Sequence, residues 1–498
     1  MCVAHELAGY ETLKPSYQMK SRMTPDGTSS RRNSFSPAGI AMSAWVPIIF
    51  LVFVFLLGGG SRSDIASLPL LRGTAVLFAF WAALQMQGED WRRIRTPLAL
   101  MLALILWMAV QLVPLPPDMW HGLPGRNVIV AADRLLGQSD LWRPLSLTPS
   151  QTFNSLLAMI IPLAALLLAA QMTTDEYPLL LAAVVVVACA SALLGLIQIM
   201  SGPTSPAYLY RIANNSSMVG FFSNRNHHAI FLACAIPLTA MLLRDEFMRK
   251  RKRALVRVGL TSAGILLTIF TVLIGSRGGL VAGMFAFVVG YAMVAGSWPL
   301  AGRSNSPRSL KSSRSRYRRW LLYVPPALLV ILIGIGLTLS TRTTAFTRVM
   351  GQSVADDLRV LAWPTVQSMI ETYWVAGSGF GSFAPVYKIF EPDSLLQDAY
   401  FNHAHNDWAE AIVTGGLPFA LILLAVIAWF TRAFASRGVR NLINGHRGDL
   451  RMTVLSVVGV LAATSLIDYP LRTPSLQALA IFLIVFLCCP KSSRSQGA

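Results

Sequence analysis

The sequence predicts an all-α polytopic membrane protein with about twelve transmembrane helices, both termini cytoplasmic, and one long periplasmic loop between helices 9 and 10. Composition is the first reason: 54% of the 498 residues are hydrophobic and only 13% are charged, with a mean hydropathy of +0.54, outside the soluble globular range. The second is the recurrence of apolar runs long enough to cross ~30 Å of hydrocarbon. They fall at 42–58, 69–86, 97–113, 153–170, 178–200, 227–243, 255–275, 278–297, 321–340, 405–430, 452–467 and 475–489. The third is the placement of basic residues. With the N-terminus inside, 29 of the 42 Lys and Arg fall in cytoplasmic segments, as the positive-inside tendency requires.

In chain order, residues 1–41 read as a disordered basic cytoplasmic tail, polar and rich in Ser, Arg and Pro. The run after it has no small-residue cleavage site, so it reads as an anchor, and Met42 is a second candidate start. Residues 42–200 carry helices 1–5, 201–440 form a core that includes the periplasmic loop 341–404, 441–489 carry helices 11 and 12, and 490–498 are a cytoplasmic tail. The runs RDEFMRKRKR (244–253) and RSLKSSRSRYRR (308–319) read as topology signals that contact anionic membrane lipids. No nucleic-acid module accompanies them, so no nucleic-acid partner is expected. Cys189, Cys234, Cys488 and Cys489 lie in apolar runs and Cys2 in the tail, a pattern that gives neither a disulfide framework nor a metal site.

The polar residues that are hard to explain emerge on the outer side. FNHAHNDWAEAIVTGG (401–416) runs straight into an apolar helix and sets His403, His405, Asn406, Asp407 and Glu410 at its mouth, where ionisable groups are costly and point to function. A neutral imidazole suits removal of a proton from an attacking hydroxyl, with Asp407 or Glu410 orienting the ring. The HxH pair and these two acids also include donors for a divalent cation, but no further tight ligand spacing supports one, and no metal or cofactor is expected.

FFSNRNHHAIF (221–231) offers Arg225 and Asn226 as donors for a phosphate or sugar. A hydrated helix cap is the alternative. Arg277 in IGSRGG sits between two apolar runs and either meets a ligand or snorkels to lipid head groups. In the long loop, Leu358, Leu361, Ala362, Thr365, Val366, Met369, Ile370 and Tyr373 recur at helical spacing, with Pro364 starting or kinking the helix. GSGFGSF (377–383) follows, and its Gly379 and Gly381 suit close approach of backbone amides to a ligand.

NRNHHA, GSRGG, RVLAW followed by GSGFGSF, and HAHNDW with GG resemble, in this order over roughly 210–440, the O-antigen ligase and polymerase superfamily. The resemblance implies an inner-membrane glycosyltransferase with its active site facing the periplasm. Its donor would be an undecaprenyl-pyrophosphate-linked glycan and its acceptor a hydroxyl of lipid A-core or of a second glycan. It also implies His405 as the base, and Arg277 and Arg359 as the cations that bind the pyrophosphate and stabilise its departure. Arg225, Asn226, Asn406, Asp407, Glu410, Gly379 and Gly381 are the accompanying substrate-binding candidates. The resemblance also implies a glutamate shortly before the final glycine; this chain has Thr414 there, so that glutamate's role is absent unless Glu410 takes it. The alternative class is a lipid-linked oligosaccharide flippase, but a transporter places ionisable groups near the bilayer midplane. Here they gather at one interface.

Overall fold

A computed structural model describes residues 44–249, 253–297, 359–396, 401–436 and 446–491. The helices are α1 (Trp45–Leu57), α2 (Leu68–Gln85), α3 (Gly88–Val110), the short α4 (Pro117–His121) and α5 (Asn127–Leu135), α6 (Pro149–Ala158), α7 (Ile160–Gln171), α8 (Tyr177–Ser201), α9 (Arg225–Met248), α10 (Ala254–Leu273) and α11 (Arg277–Ser297). After them come α12 (Trp363–Tyr373), α13 (Phe383–Phe390), α14 (Asp407–Ser436), α15 (His446–Thr464) and α16 (Pro474–Cys488). Among the described residues, eight spans are long and apolar enough to cross a membrane, α6 and α7 together making one of them, and three apolar helices are shorter. These eleven match eleven of the expected segments to within a few residues, the largest shift being at the start of α3, which Gln87 caps well before the apolar run begins. The twelfth, 321–340, lies outside the described residues, as do the tail 1–41 and the loop stretch 341–358.

The bundle is organised around α9, whose membrane window is 78% buried against 28% for α2 and α11. Its alanines permit this. A side chain at Gly279 would come 2.3 Å from the Ala229 methyl, and one at Gly290 would come 3.1 Å from that of Ala240, so α11 lies against α9 by small-residue packing, the usual glue where water supplies no driving force between helices.

Outside the bundle, two stretches form a cap. Strands Pro114–Leu115 and Arg143–Pro144 pair antiparallel and bracket α4 and α5. Arg126 is their tie: its guanidinium donates to Pro124 O at 2.8 Å and Leu145 O at 2.7 Å, and it lies over the rings of Trp120 and Tyr373 at 6.0 and 5.6 Å. Burial pushes its pKa down to about 10, which still leaves it charged at neutral pH. The second stretch holds α12 and α13. As the periodicity predicts, α12 buries Thr365, Val366, Met369 and Tyr373, and Pro364 starts it. That face packs on Phe383, Val386 and Tyr387 of α13 and on Ala404, Ala409 and Val413 at the head of α14. Leu361, expected on the buried face, is 56% exposed, and Leu358 lies outside the described residues.

The glycines of GSGFGSF have a packing role. Gly377, Gly379 and Gly381 adopt φ of +77, +104 and +81°, and a side chain at Gly379 would come 2.1 Å from Ser146 Oγ. The amides of Ser378 and Gly379 donate to Val413 O and Thr414 O at 2.9 and 3.0 Å, and that of Phe380 to Gln111 Oε1 at 3.1 Å. The amides of Ser378, Gly379 and Phe380 are thus engaged by the chain itself, while Gly381 lines a cavity. Gly416, at φ +64°, breaks α14 beside them. Trp107 Nε1 and Gln111 Nε2 then hold Gly415 O and Thr414 O at 2.7 and 3.0 Å. The cap, the end of α3 and the head of α14 are one hydrogen-bonded unit.

Candidate functional site

The starts of α9, α14 and α16 and the end of α15 converge on the short segment between α15 and α16. Asn224 caps α9 by accepting from Asn226 N at 2.8 Å, and Asn406 caps α14 by accepting from Trp408 N and Ala409 N at 3.1 and 3.0 Å. The side-chain oxygen of Asn406, a residue expected to contact substrate, is therefore used to start a helix.

Asp407 fastens α14 to the connecting segment. Its carboxylate accepts from Ser465 Oγ at 3.0 Å, Leu471 N at 3.1 Å and Arg472 Nε at 3.2 Å. One turn on, Glu410 accepts from Ala404 N at 3.0 Å, meets His403 Nδ1 at 3.0 Å and lies 3.5 Å from Arg472 Nη2. Burial opposes the Arg472 charge, but Glu410 and Asp407 outweigh it and hold the guanidinium pKa above its usual value. Thr414 is fully buried, and its hydroxyl donates to Glu410 O at 2.8 Å.

His405 faces a different carboxylate. Its Nδ1 lies 3.4 Å from Asp468 Oδ1, at ion-pair range. Asp468 also accepts from Asn226 Nδ2 at 2.7 Å and Tyr469 N at 3.0 Å, and His227 Nε2 stands 4.0 Å away. Burial works against the Asp468 charge, yet the contact with the His405 ring, with His227 and then Arg359 adding to it, holds its carboxyl well below the usual range. Burial, with Arg359 adding to it and Asp468 opposing, pushes the His405 pKa down. The result at neutral pH is a neutral imidazole beside a fixed anion, the arrangement a general base requires. The backbone of His405 has φ +50°, one of two positive values for non-glycine residues among those described. Such strain persists only where the surroundings enforce it and tends to mark function.

Tyr469 separates the two histidines. Its ring lies 4.4 Å from that of His403 and 4.9 Å, edge-on, from that of His405. The acids expected to orient the base, Asp407 and Glu410, serve other partners. Asp468 stands beside the His405 ring instead, and the two rings turn to different carboxylates. Among the described residues, no group of three His, Cys, Asp or Glu is placed to hold a metal ion.

Of the expected cations, Arg359 reaches the same segment, and Arg277 begins a helix whose next residue lies beside it. Arg359 Nη1 donates to Ile467 O at 3.4 Å. Arg277 begins α11, and its neighbour Gly278 faces Ile467, whose Cδ1 would lie 3.1 Å from a side chain at 278. Gly278 and Arg359 thus touch the residue preceding Asp468. Arg225 begins α9, with its amide donating to Asn214 Oδ1 at 3.0 Å. His227 and His228 are fully buried, which excludes the hydrated cap for the pair.

With this geometry in view, residues 262–424 match the family model described as O-antigen ligase. The chain carries an O-antigen ligase domain. That domain includes Arg277, Arg359, Gly379, Gly381 and the whole 403–410 cluster, and eight helices among the described residues are long and apolar enough to cross a membrane. No curated protein matches the chain significantly. Asn226, Asp468, Tyr469 and Arg472 lie outside the ligase domain in sequence, yet they contact or flank its histidines. Asp468 and Arg472 carry no motif. Their signal is the presence of two opposite charges in the short link SLIDYPLRT (465–473) between two apolar runs, where a passive connector needs neither.

Proposed function

We propose that the protein is an inner-membrane glycosyltransferase that moves a glycan from undecaprenyl pyrophosphate to an acceptor hydroxyl on the periplasmic face. The observation that carries this reading is His405, held in a strained backbone with Nδ1 3.4 Å from a buried Asp468. Asp468 favours the Nδ1–H tautomer and leaves Nε2 as the proton acceptor. The acceptor oxygen then attacks the anomeric carbon while its proton passes to His405. The carbon–oxygen bond to the pyrophosphate breaks, and its electron pair stays on the departing phosphate oxygen. Arg277 and Arg359 supply the permanent charge that stabilises this leaving group. A pyrophosphate so stabilised needs no protonation, so one base suffices. A single displacement of this kind inverts the anomeric configuration.

Transfer by purified protein from a lipid-linked donor tests the assignment. Lysine at 277 or 359 keeps the charge but loses the planar donor fork, so each single variant should lower the rate, and alanine more. Full activity of both alanine forms would remove the arginines from the reaction. Transfer should also survive EDTA; loss on chelation with recovery on Mg²⁺ would point to metal chemistry instead. A deletion strain separates the two acceptors: accumulated lipid-linked polymer indicates a ligase, accumulated single repeats a polymerase.

A further inference from the structure

Beside the His403 face of the site lies a cavity of about 430 Å³, within the ~300–1,000 Å³ usual for small-ligand sites. Arg277, Arg359 and His405 are not among its walls; Arg62, Arg72, Gln151, Asn154, Lys388 and Gln477 are. The pattern of charge on these walls is uneven. Arg62 is matched by Asp64 at 2.9 and 3.0 Å, and Arg472 by Asp407 and Glu410. Arg72, one turn into the membrane span α2, is held by neutral oxygens: Nη1 donates to Asn154 Oδ1 at 2.7 Å and Nη2 to Asn154 O at 3.3 Å. Its Nε is buried and meets no acceptor.

Arg93, also half-buried in the bundle, meets a carboxylate instead, Asp90 at 3.1 Å. A cation inside a membrane helix that lacks a counter-charge is costly, and a ligand that supplies one repays that cost on binding. Lys388 also stands on the wall, while Gln151, Asn154 and Gln477 offer the donors and acceptors that sugar hydroxyls need. The walls from Gly60 to Arg72 and from Gln151 to Met159 lie outside residues 262–424. The groups assigned to the reaction lie mostly inside that stretch, so the cavity is where this chain can differ from others of its family in what it accepts.

We propose that this cavity binds an acidic sugar, a uronate or a phosphorylated hexose, with Arg72 as its principal recognition residue. The identification of the ligand as a substrate unit rests on the glycosyltransferase reading; the binding itself does not. The same chemistry arises from a uronic acid in the transferred glycan or from a phosphate on the acceptor core.

The test is binding to the purified full chain in detergent, by calorimetry, with tetragalacturonate, glucose 1-phosphate and maltotetraose as probes. Saturable binding of either acidic probe is expected, tighter than that of neutral maltotetraose. Uronate alone assigns the donor glycan, phosphate alone the acceptor core. Arg72→Gln should weaken the acidic probe at least tenfold and leave maltotetraose unchanged. Arg72→Lys should recover part of the loss. Lys388→Gln, at an exposed position, should weaken the probe about threefold, and His405→Asn should have no effect. Failure of both acidic probes to bind, or equal affinity in Arg72→Gln and Lys388→Gln proteins, would overturn the proposal. So would an Arg72→Gln protein that loses inorganic pyrophosphate as steeply as the acidic sugar, since the cavity would then be the pyrophosphate site. Because the readout is binding, an inactive enzyme that still shows this pattern breaks the glycosyltransferase reading and leaves the acidic-sugar site standing.

Discussion

Two histidines, two residues apart in sequence, lie against one tyrosine ring and have different neighbours. His403 meets Glu410, which is already matched by Arg472 and by the Ala404 amide. It faces the cavity. His405 meets Asp468, which also takes hydrogen bonds from Asn226 and Tyr469 N and feels the charge of Arg359. The difference teaches that in an HxH motif the neighbouring elements assign the roles. The His403 side is an ion network, two carboxylates sharing Arg472, that fastens α14 to the segment before α16. The His405 side has a carboxylate that accepts from uncharged groups and a ring in a strained loop.

The largest expected effect is at the base. His405→Ala should reach the membrane at normal level and lose transfer by about 10²–10⁴-fold; a purified variant with full activity would break the comparison at its centre. Next is the fastening network. Arg472→Ala leaves Asp407 and Glu410, both buried, without their shared cation, and should destabilise the fold by roughly 3 kcal/mol. A lowered melting temperature that Arg472→Lys partly restores is the expected reading.

Asp468→Asn should lower the rate by about tenfold, a modest loss because the ring stays in place while its tautomer is no longer fixed. It should also move the pH profile. Burial lowers the His405 pKa and Asp468 opposes that shift, so wild-type activity should persist below the ordinary imidazole value of ~6.5 and fall as the pH drops through the lowered one. Without the anion the pKa falls further, and the acid limb should move to lower pH. Arg359 acts in the opposite sense, so Arg359→Gln should move that limb to higher pH. Shifts of the same sign in both variants would dissociate these groups from the base. The smallest effect belongs to His403→Gln, about threefold, since an amide can still donate to Glu410; a loss equal to that of His405→Ala would make the two histidines equivalent.

The eight spans and the three shorter apolar helices were legible because a long apolar run seldom folds as anything but a membrane helix, and α12 because its periodicity survives in the loop. The HAHND segment was legible because five polar groups at a helix mouth are costly. Asp468 and Arg472 were not legible, because their roles depend on α15 and α16 meeting α14 across about sixty residues of chain. Asn406 and Asp407 show the converse: polar groups in a motif that turn out to hold the fold. Sequence alone marks where polar atoms gather. It does not say which of them face one another.

The left-handed backbone at His405 has a practical consequence for capturing the enzyme with its substrate. Alanine is poorly suited to φ +50°, whereas asparagine adopts that conformation readily. His405→Asn should therefore keep the loop, the Asp468 contact and the cavity in their native arrangement while lacking a group able to accept the proton. It is the form in which a lipid-linked donor should stay intact on the protein long enough to be imaged.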